Sequence, residues 1–209
     1  MDEERYAEQM VRYMAERDFG IYMRYINPEL EMTKCHRSYY AILNKFAHKE
    51  IRKLIISAPP QFGKSLGSSR GLPSFLMGTR PSDNIVIGSY NTELARTFNS
   101  DVQRMMREEA YGAVFPYTII SDGRENREYK CNADETQVVG EDGSGLRVVG
   151  RGSSLTGRKV DVMIMDDLYK DYNEASSPIV RNKTWRWYTS VVLSGLQDWG
   201  QQLMVFTRW

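Results

Sequence analysis

The chain alternates short apolar runs with longer segments whose apolar residues recur every three or four positions. Short runs between turn-forming residues are typical of buried strands, and the wider spacing is typical of helices. The runs predict strands at 52–58, 84–90, 146–149, 160–165 and 202–207. Helical spacing predicts helices at 2–26, 39–46, 63–77, 92–110 and 174–193. Strands that alternate with helices favour an α/β fold with a parallel sheet covered on both faces.

Two segments need a separate interpretation. Residues 118–150 mix polar, apolar and turn-forming residues, which predicts short antiparallel strands around 128–131 and 136–139. The aromatic residues at the centre of the last helix suggest either a surface on which nucleic-acid bases stack or a stripe of the core. Helical spacing places Trp185, Tyr188 and Val192 near one face, so we predict that they belong to the core.

A candidate phosphate-binding loop follows the first strand. Its residues are Ala58, Pro59, Pro60, Gln61, Phe62, Gly63, Lys64 and Ser65. Backbone N–H groups around Gly63 can wrap a polyphosphate, because a residue without Cβ allows close approach. The Lys64 ammonium can reach the β- and γ-phosphates, the Ser65 hydroxyl can ligate Mg²⁺, and the following helix points its N-terminus at the anion. The loop therefore predicts a nucleotide site that uses Mg²⁺.

Two carboxylates end the strand predicted at 160–165. The continuous apolar run is typical of a central parallel strand, and carboxylates at its C-terminal end project into the crevice where α/β sheets bind ligands. Asp166 is the expected partner of Mg²⁺, directly or through water. Asp167 is placed to activate the attacking water of a nucleotide hydrolase. The alternative for both residues is a solvated acidic turn.

Composition narrows the class of protein only slightly. The length of 209 residues suits one sizeable α/β domain. Lys and Arg number 28 against 27 Asp and Glu, so the net charge of +1 neither indicates nor excludes a nucleic-acid partner. Cys35 and Cys131 lack metal-site spacing and suggest a reducing cytosol. No apolar stretch reaches membrane length, so no membrane association is expected.

From about His36 to its end, the sequence resembles the ATPase domain of phage large terminases, the motors that package DNA. The resemblance depends on the order and spacing of several short motifs. These are Pro59–Ser65, Ser69–Arg70, Ser89–Tyr90, Glu93–Ala95, Leu155–Gly157, Asp166–Asp167, Ala175 with Ser177 and Arg181, and Thr207–Trp209. It implies a RecA/ASCE-like P-loop NTPase fold with a mostly parallel sheet, helices on both faces and a small antiparallel extension. The 1–35 segment would be a helical extension and 36–209 the ATPase domain.

The resemblance also implies a function and partners. The chain would hydrolyse ATP with Mg²⁺ to translocate double-stranded DNA into a capsid. The expected partners are DNA, a portal protein, a small terminase subunit and further copies of the chain in a ring, in the cytoplasm of the host, whether encoded by a virus or a prophage. Family members continue into a nuclease domain, and because the sequence ends at Trp209 we expect no DNA cleavage by this chain.

Several further residues have roles that the resemblance implies. Thr207 either senses hydrolysis or is an ordinary strand-terminal threonine. Motors of this type need an arginine that offsets charge on the γ-phosphate, often from a neighbouring subunit. Arg158 and Arg151 are the first candidates for this role and Arg147 is the third, although a loop arginine is often simply solvated. Arg70, on the helix after the loop, contacts either a phosphate or an acidic neighbour.

Three departures from the family pattern keep other functions open. Ala58 replaces the first glycine of the loop, which is tolerated if its φ stays negative. Gln61 stands where the family often has a basic residue, and Asp167 is one methylene shorter than the usual glutamate. These departures would suit a module that binds nucleotide without hydrolysing it. A helicase-like P-loop ATPase is the other alternative, although the chain is too short for a second RecA-like lobe.

Overall fold

The fold is built on one six-stranded sheet. The computed structural model describes residues 3–141, 143–155 and 159–207. The strands are β1 (Lys53–Ser57), β2 (Asn84–Ser89), β3 (Glu135–Thr136), β4 (Gly145–Gly150), β5 (Val160–Asp166) and β6 (Leu196–Phe206). Their order in the sheet is β1-β6-β5-β2-β4-β3, and only the β3–β4 pair is antiparallel. The predicted α/β class, with a mostly parallel sheet and a small antiparallel extension, is confirmed.

Helices connect the strands and cover the sheet. In the described residues they are α1 (Glu3–Arg17), α2 (Phe19–Ile26), α3 (Lys34–Ala47), α4 (Leu72–Thr79), α5 (Thr92–Arg107), α6 (Glu109–Val114), α7 (Tyr172–Ser176), α8 (Pro178–Trp187) and α9 (Leu193–Gly195). Two π-helical turns are also present. The first, π1 (Leu66–Gly71), leads directly into α4, and the second, π2 (Tyr188–Val192), directly follows α8. None of the helices in the described part of the chain is long and apolar enough to span a membrane.

The register of the parallel strands brings three strand ends to one edge of the sheet. Strand β6 lies between β1 and β5, with Ser57 opposite Phe206 and Asp166 opposite Val205. Since all three strands run in the same direction, the loop after β1, the carboxylates ending β5 and Thr207 after β6 meet there. This edge is where open α/β sheets bind their ligands.

The larger hydrophobic cluster lies on one face of the sheet. Side chains of β2, β5 and β6 on this face pack against apolar residues of α2, α3, α4 and α5. Three aromatic side chains, Phe19, Tyr22 and Phe75, meet at ring-centroid distances of 5.2–6.4 Å, and all three are fully buried. The predicted N-terminal helical segment thus shares the core of the sheet, while the boundary predicted at residue 35 stays a prediction.

The second face is covered mainly by α8 and π2, and here the predicted core stripe was wrong at one position. Trp185 is 64% exposed, whereas Trp187 is buried. Trp187 lies over Gly88 of β2, where the absence of a side chain leaves space for an indole, and its Nε1 donates to the carbonyl oxygen of Ser153 at 2.8 Å. Helical spacing alone could not show this, because the space for the Trp187 ring comes from Gly88 on a separate strand.

The antiparallel part is shorter than predicted. In place of two strands around 128–131 and 136–139, the structure has the two-residue strand β3 and two isolated bridges, Cys131 with Thr136 and Ile120 with Val138. Side-chain bonds to the backbone replace the missing ladder, since Asn99 Nδ2 donates to two carbonyl oxygens of the 132–133 turn. The segment is therefore stabilised from α5.

Candidate active site

The loop after β1 contains two residues with positive φ. Gly63 has φ 71° and Gln61 has φ 60°, both in the left-handed region. Glycine adopts this region freely, but glutamine does so only at an energetic cost, so the surrounding structure must hold it there. Ala58 is not among the described residues with positive φ, so the replacement of the first glycine introduces no strain.

Lys64 lies between two residues from other strands. Its ammonium is buried and donates to Thr207 Oγ1 at 2.7 Å, and it lies 3.4 Å from Asp167 Oδ2. The backbone N–H of Thr207 donates to Asp167 Oδ1 at 3.1 Å. Lysine, threonine and aspartate, predicted separately from three positions in the sequence, are thus joined by two hydrogen bonds and one ion pair.

Asp166 is fully buried, and one of its oxygens lacks a partner. Its Oδ2 accepts from Ser69 Oγ at 2.5 Å, whereas Oδ1 has no hydrogen-bond partner among the described residues. Burial raises the pKa of Asp166, and the nearby hydroxyls of Ser69 and Ser65 oppose this only in part. Ser65 and Asp166, the two residues predicted to hold Mg²⁺, are therefore neighbours, and Asp166 retains one unpartnered oxygen.

Asp167 has a strained backbone. Its φ is 44°, a value that is unusual for a residue other than glycine. The turn is held because its N–H donates to Val205 O at 3.0 Å and its carbonyl accepts from Tyr90 N at 3.2 Å. In this conformation the carboxylate of Asp167 points back toward Lys64 and does not continue the direction of β5.

The candidate arginines are placed differently. Arg151 donates to Leu168 O at 2.6 Å and to Glu174 Oε2 at 3.0 Å, so it ties the segment after Asp167 to α7. Arg147 pairs with Glu135 at 3.7 Å. Arg158 lies outside the described residues, as do Arg208 and Trp209. Which arginine, if any, acts on a neighbouring subunit stays a prediction.

Arg70 is paired with an acidic side chain of α5. Its Nε lies 2.5 Å from Asp101 Oδ2 of α5, and its guanidinium lies over the Phe98 ring at 5.1 Å. Of the two contacts predicted for Arg70, the acidic neighbour is present. The contact with a phosphate stays a prediction.

A family comparison agrees with this arrangement. Residues 55–194 match the family model described as "Terminase large subunit, T4likevirus-type, N-terminal". The chain belongs to this terminase family. The predicted resemblance is thereby confirmed, over a range that contains the loop, Ser69, both carboxylates and α8.

Two solved structures that are similar to this terminase chain are phage large terminases. The ATPase domain of the large terminase of Thermus phage P74-26 is 18% identical with a TM-score of 0.43, and the match covers 74% of this chain and 59% of that one. The large terminase of bacteriophage HK97 is 11% identical with a TM-score of 0.49, covering 85% of this chain and 33% of that one. The chain thus spans less than two thirds of the length of each of these relatives. No curated protein sequence matches it.

Tyr39 and Ser68 contribute to this terminase site but were not predicted from the sequence. The hydroxyl of Tyr39 on α3 donates to Lys64 O at 2.6 Å, and Ser68 Oγ donates to the same carbonyl at 2.8 Å. Together they hold the backbone of the loop at its lysine. Ser68 lies three residues after the end of the loop, so its position gave a signal, but nothing in the sequence pairs Tyr39 with a carbonyl 25 residues later.

Proposed function

We propose that this terminase domain binds Mg-ATP at the loop and hydrolyses it. The observation that carries the proposal is the convergence of Lys64, Asp166, Asp167 and Thr207 at one edge of the sheet. A P-loop hydrolase needs a cation for the phosphates, a carboxylate near the metal and a second carboxylate near the attacking water. The family membership of the chain supports the same chemistry.

The donor set around Asp166 fits Mg²⁺. The ion prefers oxygen ligands, retains several waters and is commonly held by one or two protein groups together with substrate phosphates. The Ser65 hydroxyl and the unpartnered Asp166 Oδ1 provide such oxygens, and a cation would compensate the burial of this carboxylate. When bound, Mg²⁺ would neutralise charge on the β- and γ-phosphates.

Nucleotide binding requires Lys64 to exchange partners. Its ammonium is buried against Thr207 Oγ1 and Asp167 Oδ2, so it must turn from them to reach a phosphate. That movement leaves the Thr207 hydroxyl without its donor and frees the Asp167 carboxylate. The state of the nucleotide site is thus transmitted to the end of β6, which gives Thr207 a physical basis for sensing it.

Asp167 is the candidate group for the water. Its carboxylate is 30% exposed, in contrast to the buried Asp166, so a water can reach it. The strained turn aims it toward Lys64, on the side where the phosphates would lie. Because aspartate is shorter than glutamate, the water must bind closer to the strand end. Asp167 then orients this water and accepts its proton.

Phosphate release and nucleotide binding would be measured for wild type, Lys64→Ala and Asp167→Asn, with Lys53→Ala on the exposed part of β1 as the control. Lys64→Ala should lose nucleotide binding. Asp167→Asn should bind and turn over about 10²- to 10⁴-fold more slowly, the usual contribution of a general base. Assays should span a range of protein concentrations, because a neighbouring subunit can supply an arginine. Wild-type turnover no faster than that of both variants would favour a non-hydrolysing module.

The wider role that we propose is translocation of double-stranded DNA during packaging, as the family suggests. It includes a ring of copies, a portal protein and a small terminase subunit as partners in the host cytoplasm. Duplex DNA should then stimulate ATP turnover without strand separation. Unwinding of the duplex would instead favour the helicase-like alternative.

A further inference from the structure

The helix after the loop begins with a π-helical turn. In π1 the N–H of Leu72 donates to Gly67 O, five residues earlier. Such turns are rare and are frequently found at functional sites, because one extra residue per turn rotates the side chains relative to an α-helix. Here the turn lies between Ser65, at the end of the loop, and the regular helix α4.

The side chain that π1 directs into the sheet is Ser69. It is fully buried, and its Oγ donates to Asp166 Oδ2 at 2.5 Å. The adjacent Ser68 is equally buried, but its hydroxyl donates to Lys64 O. Two consecutive serines thus hold the two halves of the site, the loop backbone and the carboxylate that ends β5.

The bond from Ser69 fixes the orientation of the carboxylate. A carboxylate held through one oxygen cannot rotate freely about its Cβ–Cγ bond, so its other oxygen keeps one direction. That other oxygen, Oδ1, is buried and has no hydrogen-bond partner among the described residues. An unsatisfied buried acceptor is costly unless a ligand completes it.

We infer that Ser69 is a positioning residue that orients Asp166 so that its free oxygen faces the Mg²⁺ of the bound nucleotide. The inference rests on the proposed function. Ser69 acts through Asp166 and contacts neither metal nor nucleotide. Groups that orient a ligand in this way typically change metal affinity about 10- to 100-fold when they are removed.

The test separates binding of the metal complex from binding of the nucleotide alone. The affinity for a fluorescent ATP analogue is measured with saturating Mg²⁺ and with EDTA, and the ratio of the two affinities is the Mg²⁺ factor. Ser69→Ala should reduce this factor about 10- to 100-fold and leave the EDTA affinity unchanged, because Lys64 and the loop are intact. Ser74→Ala is the matched control, since Ser74 is fully buried in α4 and its hydroxyl contacts Tyr22 and Gly71 O.

Ser69→Cys provides a second variant if Ser69→Ala does not fold. The thiol is close in size but a weak donor, so the Mg²⁺ factor should fall while the core stays packed. An unchanged Mg²⁺ factor in the folded variant would overturn the inference. An equal loss with EDTA would also overturn it, because Ser69 would then act on the loop. A wild-type protein without any Mg²⁺ factor would instead refute the proposed Mg-ATP site itself.

Discussion

Gly67 in π1 is the position where the packing of the site can be tested most directly. A Cβ added there would lie 2.7 Å from Tyr39 Cε1 and 2.8 Å from Tyr40 Cε1. Non-bonded carbons prefer about 3.5–4.0 Å, so the rings or the turn would have to move by roughly 1 Å. Tyr39 cannot move freely, because its hydroxyl is bonded to Lys64 O and its ring is buried.

Gly67→Ala should therefore destabilise the fold by about 1–3 kcal/mol, the usual range for overpacking a core. For a domain of this size, each kcal/mol lowers Tm by about 2–4 °C. Displacement of Tyr39 would also loosen its bond to the Lys64 carbonyl, so nucleotide affinity should fall together with stability. Urea unfolding followed by circular dichroism gives the free energy, and nucleotide titration gives the affinity.

Gly112→Ala is the matched control for this substitution. Gly112 lies within α6, and a Cβ there would meet nothing within 4 Å. Alanine should stabilise this helix by up to about 1 kcal/mol. If Gly67→Ala were as stable as wild type, the steric argument would be refuted. As a second check, Gly67→Ala should cost less in a Tyr39→Ala background, because one of the two clashing rings is then absent.

Other predictions concern the end of β6 and the arginine beside α7. Lys64 must leave Thr207 Oγ1 when nucleotide binds, and Thr207→Val removes this partner in advance. Equilibrium titration should therefore show the affinity for the ATP analogue rising by up to about tenfold. Arg151→Ala and Glu174→Gln each break the same part-exposed ion pair, which should lower unfolding free energy by about 1 kcal/mol or less. Arg151→Ala also removes the hydrogen bond to Leu168 O, so it should cost about 1 kcal/mol more than Glu174→Gln. If Arg151 also acts on a neighbouring subunit, only its own variant should lose turnover, by about 10³-fold or more; equal turnover in both variants would exclude that role. Because the hydrogen bond from Arg151 lowers the pKa of Glu174, the stability from this pair is present above the ordinary glutamate pKa of about 4.3. It is lost as pH falls through the lowered value, so wild type and Glu174→Gln should converge in acid unfolding curves.

Features that depend on residues close together in the chain could be predicted without the structure. Lys64 and Ser65 could be named as candidate site residues because loop, strand and helix follow one another directly, and their proposed chemistry depends on backbone conformation within a few residues. Asp166 was identifiable because a strand buried on both faces has a recognisable composition and an edge where it ends. The strand alternation in turn determined the α/β class. Each of these rests on local rules of backbone geometry and burial.

Tertiary structure alone decided which distant side chains meet. The bond between Ser69 and Asp166 joins residues 97 positions apart, and that between Lys64 and Thr207 joins residues 143 apart. The choice of Trp187 over Trp185 for the core depended on a glycine in β2, far away in the sequence. The packing of π1 was also decided by tertiary structure, because the rings of Tyr39 and Tyr40, from the helix before β1, lie against Gly67. Such contacts depend on how strands and helices are ordered in space, and this order is set by the summed packing of the whole core and by no single segment.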